Sequence, residues 1–514
     1  MCGIWFALDY KSIDTIYSFL KLKHRGPDST VYHYKDNIMY GFHRLAINDL
    51  SPNGDQPMIK NGIALLCNGE IYNYKKLKST FYQYDFQGGS DCEVIINMYK
   101  RYGEDFVKKL DGEFAFILHD IESRVVLAAR DHVGVRPLFY GKINGSYVFS
   151  SEAKGIVNIV DEVEELLPGV VMKVVDNEAT FKNYSVELIK KQVEATSDEL
   201  RIRSSIIDAV SKRLIGDRPI GFLLSGGLDS SIICSVASRI LNTKLKTFSI
   251  GTSPESPDIK AAREVANSIG SEHTEVYYTI EDGLAVIEDV IYHTESYDCT
   301  TIRASVPMYI LSRYISENTD IKVILSGEGA DEVFGGYIYL RNAPDSNEFK
   351  KECGDLIKNL YTFDIKRADR TTAAHGLELR VPFLDACVIN EVDKVDNEVL
   401  YNKGGIEKKI LRDAFKSYLP ISIYNRQKDA FSDAVGYEWV NHCKTLGGDT
   451  KQRREYDHNM PLTSEESYYR GIFCKQFGER SSNLIPKIWR PKWCGEVFDP
   501  SAKQLNIHYS NNDS

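Results

Sequence analysis

The chain has no Cys-x-x-Cys pair and no His-Glu-x-x-His segment, although it holds 10 cysteines and 11 histidines. The cysteines, Cys67, Cys92, Cys234 and Cys299 among them, are scattered. That spacing argues against a structural zinc site or a disulfide framework and fits free thiols in a reducing compartment. No apolar run approaches the roughly 20 residues of a membrane span, and the opening "IWFAL" is too short, and lacks the basic flank, for a secretory signal. A cytoplasmic protein is therefore expected, with no membrane partner. Positive charge is in deficit: 63 Lys and Arg against 73 Asp and Glu leave a net charge of −10. This opposes broad binding to nucleic acid while leaving room for a local phosphate pocket. Internal repeats and low-complexity segments are missing as well. What is present, 43% hydrophobic and 26% charged residues over 514 positions, describes a globular chain too long for one ordinary core, so two or more domains are expected.

Two textures divide the chain. Up to about residue 185 it consists of short apolar runs between turn residues: "NIMYGFHRLAI", "GIALLCNG", "EFAFILHD", "RVVLAARD", "SYVFSS" and "VVMKVVD". Runs this short, rich in β-branched and aromatic residues, read as strands, with "SDCEVIINMYKRYG" as an intervening helix. An antiparallel, sheet-dominated domain follows. The stretch "VELIKKQVEATSDEL" reads as a linker or surface helix. Beyond it, "SDELRIRSSIIDAVSKRLI" has helical apolar spacing with Ser197 or Asp198 as N-cap. The apolar runs "PIGFLL", "KLKTFSIG" and "IKVILSGEG" then alternate with helical segments, the pattern of parallel βαβ units. The end, "IHYSNNDS", reads as a disordered tail.

In "GFLLSGGLDSSIICSVASRI" a buried strand runs into Ser-Gly-Gly before an amphipathic helix. Glycines at Gly226 and Gly227 permit close backbone approach, and the free N–H groups and dipole of a helix start favour an anion. No lysine follows as in a Walker A loop, and G-x-G-x-x-G is absent, so on Gly-Gly alone an ordinary βα turn stays open. "TFSIG" and "VILSGEGADEVFGGY" supply two more Gly-bearing loops after strands, which places all three at the carboxyl edge of one sheet, where open α/β folds bind ligands. The third loop carries Glu328, Asp331 and Glu332; with Asp229 they form either a solvated acidic helix start or a set of carboxylates for Mg²⁺ beside a phosphate.

These residues resemble known families. "LLSGGLDSS" is similar to the signature of the PP-loop ATP pyrophosphatases, and "LSGEGADEVFGGY", "SPDIKAAREVA", "TTIRASVPMY" and "ELRVPFLD" narrow that to the asparagine synthetase branch. "MCGIW", "HRGPD", "FHRLAI", "NGEIYN", "GSDCEVI", "RDHVGVRPLFY" and "SSEAKGI" resemble the class II glutamine amidotransferase domain. Together they identify the chain as resembling glutamine-hydrolysing asparagine synthetase over nearly its whole length. The resemblance implies an α+β Ntn-hydrolase-type antiparallel sandwich between helices over residues 2–185, and a linker over 186–200. It further implies an α/β parallel-sheet synthetase domain over 201–505, with a tail over 506–514. It also implies a reaction: ammonia released from L-glutamine converts L-aspartate, through β-aspartyl-AMP, to L-asparagine, with ATP as substrate and Mg²⁺ as cofactor. A homodimer is the assembly expected.

Residue by residue, the resemblance implies that Met1 is removed and Cys2 becomes an N-terminal nucleophile, whose own amine serves as base. Arg44 is to pair with the carboxylate of glutamine, Glu70 and Asp91 with its ammonium, and Asn68 and Gly69 are to form an oxyanion hole. Leu45, Ala46, Ile47 and Asn48 complete the pocket mainly through backbone. Asn48 stands where the family usually has an apolar residue, so altered glutamine affinity is expected. ATP is expected across Leu223, Ser225, Gly226, Gly227, Asp229, Ser230, Ile250, Ser326 and Gly327, with Asp229 and Asp331 on the metal. Glu328 is expected to assist formation or aminolysis of the adenylate, Lys428 to neutralise phosphate charge, and Thr300, Thr301 and Arg303 to bind aspartate. After about Gly447 the match is patchy, although "DPSAKQLNIH" resembles the family's closing motif. A different carboxylate acceptor, a β-lactam-forming relative and a catalytically silent binding protein are the alternatives. Retention of Cys2, Arg44, Asp91, Asp229 and Lys428 together argues against the last.

Overall fold

A computed structural model describes residues 1–8, 14–81, 86–188, 197–427, 437–448 and 456–495. The first part is built from β1 (Gly3–Ala7), β2 (Ser29–Lys35), β3 (Ile38–Arg44), β4 (Met58–Lys60), β5 (Ile63–Ile71), β6 (Gly112–Asp120), β7 (Val125–Arg130), β8 (Phe139–Ile143), β9 (Ser146–Ser150), β10 (Glu164–Glu165), β11 (Val170–Val175) and β12 (Glu178–Asn183). They form two six-stranded sheets, ordered β10-β8-β9-β1-β3-β2 and β12-β11-β7-β6-β5-β4. The period of two along β5 decides the layering. Ala64 and Leu66 point between the sheets, towards Phe6 and Phe42, while Ile63, Leu65 and Cys67 face outward under the helix Val94–Tyr102. The outer face of the other sheet, with Trp5, Ala7 and Met39, packs on Phe19 and on Ile291 and Ile302 of the second part. This is the expected sandwich between helices, with the second domain supplying much of one cover.

The second part holds a parallel sheet of β13 (Ile220–Leu223), β14 (Lys246–Gly251), β15 (Glu272–Tyr277), β16 (Val323–Leu325) and β17 (Glu378–Arg380), ordered β15-β14-β13-β16-β17. The three strands read from apolar runs are its centre. Sequence patterning missed the two edges because β15 is polar and half-exposed and β17 is only 3 residues long. Ser197 caps the entering helix Asp198–Arg213, accepting from Leu200 N–H. Most of the linker, 189–196, and the tail lie outside the described residues. Among the described residues no helix is long and apolar enough to cross a membrane.

Charge, not only apolar surface, closes the domain boundary. Arg25 Nη1 lies 2.6 Å from Glu152 and 3.0 Å from Asp369, and Arg136 lies 3.1 Å from Glu113 and 3.4 Å from Asp369. Arg213 then joins Glu113 at 2.8 Å to Asp385 at 2.7 Å. All of these side chains are buried. Removing one partner of such a network leaves an uncompensated buried charge, which costs about 3–5 kcal/mol. Asp369→Asn, which strips the shared carboxylate from Arg25 and Arg136, should destabilise the chain by about that amount. Urea unfolding of the variant against wild type measures it, and a loss below about 1 kcal/mol would mean that water or another acid satisfies both arginines.

Candidate active sites

Cys2 precedes β1, whose pairing with β3 and β9 fixes its backbone. Its N–H donates to Asn68 Oδ1 at 2.9 Å, its carbonyl accepts from Arg25 Nε at 3.1 Å, and its thiol faces the Leu45 carbonyl at 3.8 Å. Asn68 is fully buried, and its Nδ2 has no hydrogen-bond partner among the described residues. A buried amide donor left open beside a thiol is the arrangement that an oxyanion would satisfy. Gly69 follows within β5, and a Cβ there would lie 2.2 Å from the Glu113 carbonyl, so only glycine lets β6 pass. Desolvation sets the protonation here. Burial pushes the Cys2 thiol up to about 11 and the Met1 amino group down to about 6. The Met1 side chain is buried at the domain boundary, its sulfur 2.8 Å from Arg136 Nη1 and 3.5 Å from Arg25 Nη2.

Glu70 and Asp91 approach each other across this pocket and are both buried. Burial first, then the neighbouring Asp91, raises Glu70 well above the usual carboxylate range, and burial raises Asp91 too. The segment 45–49 is fastened to the second domain: Ile47 O accepts from Asp217 N–H at 2.9 Å, Ala46 O from Arg218 Nε at 3.0 Å, and Asp49 N–H donates to Asp217 at 2.9 Å. Arg44 is buried and its guanidinium is spent on its own loop, donating to the carbonyls of Asp49 and Ser51 and to Asp55. As placed it shapes the pocket wall.

The second site is a cavity of about 780 Å³ at the carboxyl edge of the parallel sheet. Every synthetase-half residue implied by the resemblance lines it except Gly226 and Lys428. Gly226 lies beneath the floor at φ +73°, where a Cβ would sit 2.3 Å from Ala262 N. Lys428 lies outside the described residues. The helix Leu228–Leu241 starts at Gly227 without a side-chain cap, so its first N–H groups face the cavity mouth. Ser230 Oγ and Ser225 Oγ stand 3.1 Å apart around that turn.

Lys408 is the residue that the sequence reading missed. Its Nζ lies 2.7 Å from Asp229 and 2.6 Å from Asp331, joining the first and third loops. It is buried and takes a left-handed φ of +54° at the start of the helix Lys409–Ala414. No spacing signal marks it, because its partners are 179 residues away in the case of Asp229. Glu328 accepts from Arg367 Nη2 at 2.8 Å. Thr300 and Thr301 both donate their hydroxyls to Asp298, at 2.6 and 2.8 Å, and Asp298 caps the helix Cys299–Asn318 by accepting from Thr301 N–H at 2.9 Å. Arg303 forms a buried two-toothed pair with Glu465, so what it presents to the cavity is one flank of an ion pair.

Known proteins share this combination of domains. A family model described as asparagine synthase matches residues 201–355 and 344–493, and one described as a glutamine amidotransferase domain matches 1–168. A probable glutamine-hydrolyzing asparagine synthetase of Acanthamoeba polyphaga mimivirus is 41% identical over 553 residues, covering 99% of this chain and 100% of that protein. Glutamine-hydrolyzing asparagine synthetase 2 of Arabidopsis thaliana is 42% identical over 530 residues, covering 95% of this chain and 91% of its own length. Synthetase 3 of the same plant is 40% identical over 532 residues, with the same coverage of 95% and 91%. Among solved structures, glutamine phosphoribosylpyrophosphate amidotransferase from B. subtilis aligns at 16% identity, covering 55% of this chain and 91% of that one. Its TM-score of 0.33 is too low to bear on the fold. Likeness along nearly the full length, with both family models matched, decides the matter: the chain belongs to the glutamine-hydrolysing asparagine synthetases.

Proposed function

We propose that residues 2–185 release ammonia from L-glutamine and that residues 201–505 spend it on L-aspartate activated by ATP. The observation that carries this reading is the Cys2–Asn68 pair, a thiol whose backbone nitrogen is held by one atom of a buried amide while the other atom is free to donate. With Met1 attached, the Cys2 nitrogen is an amide and the thiol is protonated. Once Met1 is removed, that nitrogen is an amine in the same dry surroundings, held neutral by burial and placed to take the thiol proton.

The thiolate then attacks the carboxamide carbon of glutamine. Asn68 Nδ2 and the Gly69 N–H stabilise the oxyanion, the Cys2 amine returns its proton to the leaving nitrogen, and ammonia departs. Water cleaves the thioester to glutamate and restores the thiol. In the second cavity the β-carboxylate of aspartate attacks the α-phosphorus of ATP, pyrophosphate leaves, and ammonia displaces AMP from the acyl carbon to give asparagine. The uncapped start of the helix at Gly227 receives phosphate, Lys408 and Lys428 offset charge on the departing pyrophosphate, and Glu328, held by Arg367, faces the acyl centre. Thr300, Thr301 and Arg303 mark the aspartate end of the cavity. Asp229 and Asp331 converge on one cationic point at Lys408 Nζ, and no larger group of metal-ligating side chains gathers among the described residues. Two carboxylates completed by substrate phosphates suit Mg²⁺, which would supply charge neutralisation there when bound.

Cys2→Ala, or retention of Met1, should abolish asparagine formation from glutamine while leaving formation from ammonium intact, with asparagine, AMP and pyrophosphate measured together. Loss of both reactions would contradict the division of labour. Lys408→Met should lower synthesis from either nitrogen source by about a hundredfold or more, while glutamate release continues. An undiminished rate of pyrophosphate release would remove Lys408 from the phosphate site. Because the base must be neutral, glutamate release should fall as pH drops through the amine's pKa. Burial should set that acid limb below the ordinary α-amino range of about 7.7–8.0. A pH profile with its limb at or above that range would mean the amine is solvated and is not the base.

A further inference from the structure

The glutamine pocket contains a donor that the proposed reaction does not use. Asn48 Nδ2 lies 2.5 Å from Glu70 Oε2 and 3.4 Å from Asp91 Oδ1. The other oxygen of each acid is already engaged: Glu70 Oε1 lies 3.2 Å from Arg380 Nη2, and Asp91 Oδ2 accepts from Ile71 N–H at 2.7 Å. The two oxygens that Asn48 faces are therefore those left for a ligand, and its amide nitrogen stands where a primary ammonium bonding to both would stand.

We propose that Asn48 is a displaceable stand-in for the α-ammonium of glutamine, occupying the point between Glu70 and Asp91 until substrate arrives and thereby setting how tightly the pocket holds it. The inference rests on the assignment of Glu70 and Asp91 to that ammonium. Two buried carboxylates side by side repel each other and need a donor or a proton. A neutral amide meets the need without a net charge, and a ligand with a full positive charge can outcompete it. The backbone on either side of Asn48 is clamped to Asp217, so displacement is a side-chain rotation and not a loop movement. A pocket filled by its own side chain for most of the time binds with an apparent affinity reduced by the unoccupied fraction.

The same bond favours the ionised acids. Around them stand Arg380, Glu378 and Arg136, which act on Glu70 from the domain boundary, and Tyr74 and Lys78 on the helix Tyr74–Ser79. Deleting the amide leaves these in place and removes only its donor, so the acid pair should hold a proton to higher pH.

Glutamate release from glutamine by Asn48→Leu and Asn48→Ser, followed across pH, tests the proposal. Leucine fills the space without a donor, and serine is too short to bridge, so the two separate packing from hydrogen bonding. Above the acid limb both should show a KM for glutamine lowered about tenfold, with the change carried by KM and not by kcat, and in both the rise of KM towards low pH, which the acid pair sets while the amine sets the limb of kcat, should begin at higher pH. Ammonium-dependent asparagine formation, which does not pass through this pocket, reports that each variant is folded. A KM raised at every pH would make Asn48 a direct ligand of glutamine and overturn the proposal, as would a KM whose value and onset of rise do not move. A wild-type enzyme that releases no glutamate from glutamine would instead overturn the glutaminase reading beneath it.

Discussion

The carboxylate of Asp369, set between Arg25 and Arg136, is the contact on which both halves depend. It comes from the second domain and neutralises two buried guanidiniums of the first. Arg25 does more than dock: its Nε holds the Cys2 carbonyl while its Nη1 reaches Glu152 and Asp369. Domain closure and the position of the nucleophile are thus one event. Arg380 repeats the pattern from the other side, lying against Glu70 while donating to the Arg213 and Ile215 carbonyls just ahead of the 216–218 turn that grips segment 45–49. Such networks cost desolvation and seldom add net stability over apolar packing. What they provide here is register: groups of the second domain hold Glu70 and segment 45–49 in place around the Cys2 pocket.

Water exclusion then does opposite things to neighbouring groups. Burial makes the Cys2 thiol a poor acid and keeps the Met1 amino group neutral, so the uncharged form of each is favoured. Burial also drives Glu70 and Asp91 towards their neutral forms, against the charge an ammonium ligand needs. The Asn48 amide stands between the two acids, its nitrogen 2.5 Å from Glu70 and 3.4 Å from Asp91. In the synthetase cavity the comparable conflict, Asp229 against Asp331, is resolved by the full charge of Lys408.

What the sequence disclosed was local. Strand alternation, the Ser197 cap and three strand-loop-helix junctions each rest on residues a few positions apart, and they stand as read. The described residues named from sequence for the second site reach the cavity too, Gly226 excepted, because βα loops converge wherever parallel strands do. What it hid was long-range or too short to pattern. The 3-residue β17 carries Arg380, Lys408 meets acids from two other loops, and Arg303 finds Glu465 across 162 residues. Asn48 was legible as a departure from an apolar position, but its side-chain role depends on Glu70 and Asp91, which only the folded sheet brings beside it.

On the proposed reading ammonia passes from the first site to the second, and an apolar layer that reaches from one to the other suits it. Met1, Leu45 and Ile47 beside the thiol, Val133 and Val135 behind them, and Leu224 and Leu228 at the phosphate loop belong to one continuous apolar cluster. Ammonia is small and neutral, and such a layer admits it while charging a large desolvation penalty to ammonium or glutamate. Met1 belongs to that cluster, so under the proposed reaction its excision would act twice, freeing the amine that is to activate Cys2 and vacating volume within the apolar layer. On the proposed reading, a chain that keeps Met1 lacks the base and keeps the apolar layer filled with the same residue, so removal of that one residue serves both halves.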